Sequence, residues 1–276
     1  MRALIIGAGG QGATADDPKG PNKHKVLSFG HALASHLADI TWFDLNDAAA
    51  LAAAKIWGGQ AITYGEAVKV PYDLVCVATP DDTHYPILLD ILRWFKPLPR
   101  LVVCEKPITH NMKEAEDIIR MYKDARIPLL VDYTRRFIPQ YQRIQKEVAG
   151  GGRAFGYCAF NRGWVHTGSH AIDTFRYLGI NDYRIFEMPD GPRHWILAMQ
   201  YEDSGMTSTW TEERIGQEPV DPMFNFHMRY VIQNACDFLN YGTPLICTGE
   251  DAQQTLVETY RRMNMAEREG QNGRHS

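Results

Sequence analysis

The sequence predicts an α/β protein in two parts. Residues 1–132 read as a doubly wound parallel sheet, and residues 133–276 as a smaller α+β part with a mostly antiparallel open sheet. Three observations carry this. Short apolar runs alternate with helical patterns up to residue 130, as a parallel sheet covered by helices requires. A glycine-rich turn follows the first run directly. After Tyr133 strand-like runs follow one another without intervening helices, which favours antiparallel pairing.

Arg2–Ile6 reads as the first strand and Ile40–Phe43 as the second. Asp47–Trp57 has helical character. Leu74–Ala78 is an unbroken apolar run bounded by turn formers, the pattern of a strand buried on both faces. Pro86–Phe95 is spaced as a helix, Leu101–Cys104 as a strand, Met112–Tyr122 as a helix, and Pro128–Val131 closes the series. Beyond Tyr133, Gln140–Val148 reads as a helix and Gly150-Gly151-Gly152 as a breaker. Ala154–Asn161 alternates as a strand, and a helical stretch lies around His170–Leu178. Strand-like runs follow at Tyr183–Glu187, Arg193–Tyr201 and Met206–Thr211. Phe224–Asn240 and Asp251–Met265 read as helices, and Arg268–Ser276 as a frayed polar end.

Composition excludes several classes. Of the 276 residues, 45% are hydrophobic and 22% charged, as in ordinary globular chains. A net charge of -4 offers no attraction to nucleic acid or a membrane surface. No apolar run reaches the roughly 18 residues of a membrane span. Met1 leads into a strand within a few residues, so no signal peptide is expected. The five cysteines, Cys76, Cys104, Cys158, Cys236 and Cys247, are scattered, and none form a C-x-x-C pair. Cys76 and Cys104 lie in apolar strands, as small buried hydrophobes do. A reducing cytoplasm is expected.

Gly7, Gly9 and Gly12 fit G-x-G-x-x-G directly after the first strand, the fingerprint of a Rossmann dinucleotide site. Glycine permits the tight turn and a close approach of backbone to pyrophosphate. The next helix would aim its N-terminal N–H groups at the negative charge. Asp44 ends the second strand, where a carboxylate can accept both ribose hydroxyls and repel a 2′-phosphate, favouring NAD over NADP. A turn or cap role is the bland alternative, although Asn46 and Asp47 are also good caps. The spacing from the glycines to the acidic residue exceeds the usual value of about 20. The excess is Ala13–Lys25, whose Asp16-Asp17-Pro18-Lys19-Gly20-Pro21-Asn22 cannot extend a helix from Gly12. The first helix therefore starts late, near Leu27, or follows a loop that covers the cofactor or weakens its binding.

Val102-Val103-Cys104-Glu105-Lys106-Pro107 places a lysine at the C-terminal edge of the same sheet, where ligands of doubly wound folds bind. Together with the glycine motif and Thr167-Gly168-Ser169-His170, it makes the chain resemble the Gfo/Idh/MocA family of nicotinamide-dependent oxidoreductases. The resemblance implies a cofactor loop of Gly7, Gly9, Gly10, Gln11 and Gly12, with Thr79 and Pro80 passing the cofactor. His84 stands at a helix start where the family tends to carry histidine; capping or packing is its alternative. Lys106 would sit beside nicotinamide and the reacting carbon, where its charge stabilises an oxygen gaining negative charge. Glu105 would orient Lys106 or bridge to the second domain, and Pro107 would hold the turn.

Gly163-Trp164-Val165-His166-Thr167-Gly168-Ser169-His170-Ala171-Ile172-Asp173 resembles the family's second-domain motif. In it His170 is the general acid/base, since imidazole titrates near neutrality. Many relatives carry Asp or Asn where this chain has His166, and a second imidazole cannot raise the pKa of its neighbour as a carboxylate would. His166, Asp173, Arg136 and Trp164 are the substrate-side candidates. Asp173 reads equally as a helix-packing residue. Arg135 and Arg136 match the crossover between domains, to stabilise the junction or reach an anionic group. Trp164 reads as a stacking surface for a sugar or as a core residue. His166-x-x-x-His170-x-x-Asp173 has metal-ligand spacing, but Gly168 weakens the helix and no Glu adjoins His166; no metal is expected.

The resemblance thus implies an NAD-dependent oxidoreductase that moves a hydride between nicotinamide and a carbinol carbon of a sugar, polyol or sugar derivative. Its alternatives are a non-catalytic cofactor-binding regulator of the same fold, and elimination or glycoside cleavage with no net redox. The second domain is short for the family, so its sheet should have about 4–6 strands. An open apolar sheet face predicts a homo-oligomer, dimer or tetramer.

Overall fold

The computed structural model describes residues 1–272 except 17, 18, 20, 21, 151–153, 162, 188–193, 204, 205, 216, 217, 220 and 221. The chain forms two compact units: Met1–Phe137 with Asn225–Glu250, and Ile138–Phe224 with Asp251–Ser276.

The first unit is built on six strands: β1 (Arg2–Ile6), β2 (Asp39–Phe43), β3 (Gln60–Ala61), β4 (Leu74–Val77), β5 (Leu101–Glu105) and β6 (Leu129–Asp132). All pairs are parallel and the order is β3-β2-β1-β4-β5-β6, the dinucleotide-binding order. The strand order reverses between β1 and β4, which opens a crevice at their carboxyl ends. β4 is wholly buried, as its unbroken apolar run requires of a strand covered on both faces. Around the sheet lie α1 (Phe29–Ser35), α2 (Asp47–Trp57), α3 (Tyr64–Ala67), α4 (His84–Trp94) and α5 (Met112–Asp124). Asn46 caps α2 through Ala48 N–H, and Asn111 caps α5 through Lys113 and Glu114 N–H.

The first helix does start late. Gly10–Thr14 forms one π-helical turn, and α1 begins only at Phe29, capped by the Ser28 hydroxyl. The intervening stretch is anchored by the wholly buried Asp16. Its carboxylate receives Leu27 N–H at 2.7 Å and the Ser28 hydroxyl at 2.5 Å, and lies 2.9 Å from His31 Nδ1. Trp57 stacks on His31 at 4.6 Å and donates to the Ala13 carbonyl, so this turn is pinned from α2 as well.

The second unit contains α6 (Pro139–Ala149), β7 (Ala154–Phe160), α7 (Ser169–Leu178), β8 (Asp182–Glu187), β9 (His194–Asp203), β10 (Met206–Ile215) and β11 (Glu218–Pro219). The strands form one sheet in the order β11-β10-β9-β7-β8. Pairing is antiparallel except for β7 with β8, which are joined by the crossover helix α7. Gly151 and Gly152 of the expected breaker, and Arg193 of an expected strand, lie outside the described residues.

Two expectations are corrected. The sequence predicts 133–276 as one continuous domain, yet α8 (His227–Tyr241) belongs to the first unit. Its stripe Met228, Val231, Ile232 and Ala235 is buried, and Arg100 donates to the Leu239 carbonyl. Sequence order hides such a return, because apolar spacing does not say which core a helix joins. The frayed end is also shorter than expected: α9 runs Gly249–Asn272. All five cysteines are free and buried. Among the described residues, no helix is long and apolar enough to cross a membrane.

Candidate active site

At the carboxyl end of β1, Gly7 has φ +98°, a conformation that favours glycine. A Cβ there would stand 2.7 Å from the Ala78 carbonyl oxygen. A Cβ on Gly12 would stand 1.9 Å from the Gly7 carbonyl oxygen, so the turn closes only with glycine. Gly9 and Gly10 differ: both are exposed, and a Cβ on either would meet nothing within 4 Å. Two glycines are thus demanded by the protein's own packing, while two face open space, where a pyrophosphate approaching the backbone would run. Gln11 is exposed beside them.

Asp44 lies just past β2. Its Oδ2 accepts Ala8 N–H at 2.7 Å and its Oδ1 accepts Asn46 N–H at 2.8 Å. The carboxylate is therefore held at the glycine turn, half exposed, and the cap of α2 is Asn46. A dinucleotide fits this arrangement: an exposed glycine backbone for the phosphates and an oriented carboxylate for the adenosine ribose.

Across the crevice, Thr79 and Pro80 follow β4. His84, at the first turn of α4, is buried. Its Nδ1 lies 2.7 Å from the Pro107 carbonyl and its Nε2 lies 2.9 Å from the Thr79 carbonyl. Both ring nitrogens are occupied by backbone, which removes them from polar contact with a cofactor. The ring instead ties the Thr79 loop to the loop carrying Lys106. A neutral imidazole donates to only one of the two carbonyls. Burial lowers the His84 pKa and outweighs the pull of the carbonyls toward the charged form.

Glu105 ends β5 and Lys106 follows it, both half-buried; the Lys106–Pro107 peptide is cis. Glu105 pairs in register with Asp132 on β6, so both carboxyl groups stand on one face of the sheet. Burial lowers the Lys106 pKa, opposed by the charges of Glu105, Asp81 and Asp132 and helped by that of Arg135. Burial, then the adjacent Asp132, raises Glu105 well above the usual carboxylate range. Asp132 is pushed up to about 7, first by burial. A lysine so placed can exchange a proton nearer neutrality than one in water. Arg135 and Arg136, on the turn Thr134–Phe137, are buried; Arg136 thus has the placement of a turn-stabilising residue more than of an open anion site.

In the second unit, Trp164–Gly168 forms a π-helical turn leading into α7. Its entry at Gly163 has φ +84°, and Gly163 N–H donates to Glu187. Gly168 packs so closely on Phe160 that a Cβ would stand 2.7 Å from the ring. Trp164 meets the same Phe160 edge-on at 5.3 Å. His166 is exposed and His170 half-buried. Asp173 is buried and accepts the Thr255 hydroxyl at 2.8 Å, while Arg176 donates to that hydroxyl at 2.6 Å. Asp173 therefore packs α7 against α9, the helix-packing reading that the sequence also offered. Among the described residues, no group of three or more His, Cys, Asp or Glu could hold a metal ion.

Residues 1–133 match the profile of the oxidoreductase family with an NAD-binding Rossmann fold, Gfo/Idh/MocA. This part of the chain is similar to that family. An inositol 2-dehydrogenase of Corynebacterium glutamicum (strain R) is 30% identical over 154 residues, 55% of this chain and 42% of that protein. The chain thus spans less than half the length of this curated relative. A solved putative myo-inositol dehydrogenase from Sinorhizobium meliloti superposes with TM-score 0.71 at 16% identity, over 94% of this chain and 95% of that one. The WlbA dehydrogenase of Bordetella pertussis, solved with NADH and UDP-GlcNAcA, gives 0.69 at 15%, over 94% and 95%. At such identities the likeness is one of fold.

Within residues 1–133, the structure brings Gly7, Gly12 and Asp44 to one turn, and Lys106 beside Glu105. Sequence reasoning missed Asp132, the carboxyl partner of Glu105. A signal was present: an acidic residue ending an apolar strand, as Glu105 does. It also missed Asp16, hidden in a polar stretch that looks like solvated loop.

Proposed function

We propose that this protein is an NAD-dependent oxidoreductase acting on a CH–OH group of a polyol, sugar or sugar derivative. The observation that carries this is Lys106, placed directly after β5 beside the carboxyl groups of Glu105 and Asp132, in the sheet whose first strand leads into the glycine turn. NAD, when bound, supplies the hydride acceptor or donor. Gly9 and Gly10 leave room for its phosphates, and Asp44 accepts the ribose hydroxyls and disfavours a 2′-phosphate. As the carbinol C–H leaves as hydride, the hydroxyl proton must go to a base. Lys106 holds that oxygen and offsets its charge. The general acid/base role of His170 is carried on the family resemblance, as are substrate contacts of His166 and Trp164. The inositol 2-dehydrogenase relatives make cyclic polyols the first substrates to try.

An oligomer built on the second unit's sheet is part of the proposal. Phe155 and Phe186 are 40% and 47% exposed there, an apolar surface that association would bury. The five buried cysteines, none in a disulfide, fit a cytoplasmic enzyme.

The test is titration with NADH and NADPH, read by energy transfer from tryptophan, then turnover across a polyol and sugar panel. Tighter binding of NADH and reduction of NAD by a panel member are expected. Lys106→Ala should abolish turnover with NADH affinity kept. Equal loss of both sinks the role of Lys106, and no binding of either cofactor sinks the proposal. Product formation without net NADH would point to elimination.

A further inference from the structure

We propose that Asp132 is a positioning residue for Lys106: it shares one proton with Glu105, and the charge of that carboxyl pair governs how readily Lys106 gives up its own proton. The inference rests on the dehydrogenase reading only for what Lys106 does to a substrate.

The geometry comes first. Glu105 and Asp132 are partners in the parallel register of β5 and β6, so their side chains share a face and their carboxyl groups are neighbours at the buried end of two adjacent strands. Two like charges so placed cannot both be held away from water; one carboxyl must carry a proton. Asp132 is wholly enclosed, and its Oδ1 also accepts the Thr134 hydroxyl at 3.1 Å. Glu105 Oε1 is buried with no hydrogen-bond partner. An ionised carboxylate with one buried, unpaired oxygen would bear a large desolvation cost, whereas a neutral carboxylic acid tolerates it. Glu105 is therefore the proton carrier and Asp132 the charged member of the pair. The direction of both pKa values, upward from burial, agrees with one proton kept to neutral pH.

The pair acts on Lys106 alongside burial, which is the largest effect, and the charge of Asp81. Of the groups around it, Glu105, Asp132 and Asp81 favour the ammonium, and Arg135 opposes it. Asp81 is already paired with His110 at 3.1 Å. His84, held between two carbonyls, and the buried thiols Cys76 and Cys104 bring no negative charge, since burial disfavours the ionised form of each. With one proton shared, the pair carries a single negative charge and balances one ammonium. When the shared proton leaves, the second charge strengthens the hold of Lys106 on its proton.

The experiment uses the full chain. Carboxyl carbons are followed by NMR in protein labelled with 13C-Asp and 13C-Glu, assigned with Asp132→Asn and Glu105→Gln. The Lys106 amine is followed with 13Cε-lysine, assigned with Lys106→Met. One carboxyl of the pair should stay protonated to neutral pH, and the other should titrate in step with it. In Asp132→Asn the Lys106 titration should fall by about one unit, some tenfold more free amine at a given pH. The pH limb of kcat/KM that Lys106 sets should move down with it, which a merely structural role would not cause. If both carboxyls titrate near the ordinary value of about 4, the proposal is wrong. An unmoved Lys106 titration in Asp132→Asn overturns it too. Should Asp132→Asn not fold, Glu105→Gln and the wild-type carboxyl titration decide. Titrations as expected in a protein that oxidises no panel member would remove the dehydrogenase reading alone; ordinary titrations in an active enzyme would remove this one alone.

Discussion

Removing the Asp16 carboxylate tests how the long connection after the glycine turn is held. Three close contacts depend on it: Leu27 N–H at 2.7 Å, the Ser28 hydroxyl at 2.5 Å and His31 Nδ1 at 2.9 Å. A fourth, Ser28 N–H at 3.4 Å, is too long to count for much. Hydrogen bonds to a charged acceptor contribute about 1.5–3 kcal/mol each. The simple sum overshoots, because His31 is partly exposed and regains water when released. Asp16→Ala should therefore destabilise the first unit by about 3–5 kcal/mol, the range for stripping one partner from a buried charged cluster. For a domain of this size about 2–4 °C of Tm accompanies each kcal/mol, so the fall should be at least about 6 °C. Scanning calorimetry and urea unfolding of the two proteins, side by side, give the number. Asp16→Asn should recover only part, since its amide turns an N–H toward one of the donors. A loss under about 1 kcal/mol, the size of a surface change, would mean that the turn is held by Trp57 and α1 packing without Asp16.

Glycine substitutions separate cofactor space from protein packing. Gly9→Ala should leave Tm within about 2 °C yet weaken NADH at least tenfold, about 1.4 kcal/mol, because its Cβ meets only the space a pyrophosphate takes. Gly12→Ala should lower stability and NADH affinity together, its Cβ colliding with the Gly7 carbonyl; equal behaviour of the two variants would refute the division. For His84, burial lowers the folded pKa below the unfolded value of about 6.5. Its contribution is thus present above that pH and is lost as pH falls through the folded pKa. His84→Gln should flatten the decline in stability between about pH 7 and pH 5; parallel curves for variant and wild type would show that the ring does not titrate in that window.

What could be read from the chain was whatever depends on neighbours a few residues away. β1, β2 and α2 appear within a residue of their expected bounds, because unbroken apolar runs and an Asn cap are local signals. The glycine turn was legible for the same reason: the collision that forbids a Cβ on Gly12 involves Gly7, five positions away. The two-residue β3 and the four-residue α3 carry too few residues for a periodic pattern to show.

What only the tertiary structure decided is which distant groups meet. Asp173 sits one turn from His170 in the sequence, and its carboxylate accepts the Thr255 hydroxyl of another helix. Asp16 looked like solvated loop and proved a buried anchor, because its partners Leu27 N–H, the Ser28 hydroxyl and the His31 ring stand at a helix start beyond the inserted stretch. Glu105 and Asp132 meet through the register of two strands. Sequence alone determined the parallel sheet, the nucleotide turn and the lysine at its edge, because each is written in local stereochemistry. The protonation of that lysine and the anchoring of the turn belong to the fold, since burial and charge depend on everything packed around a group.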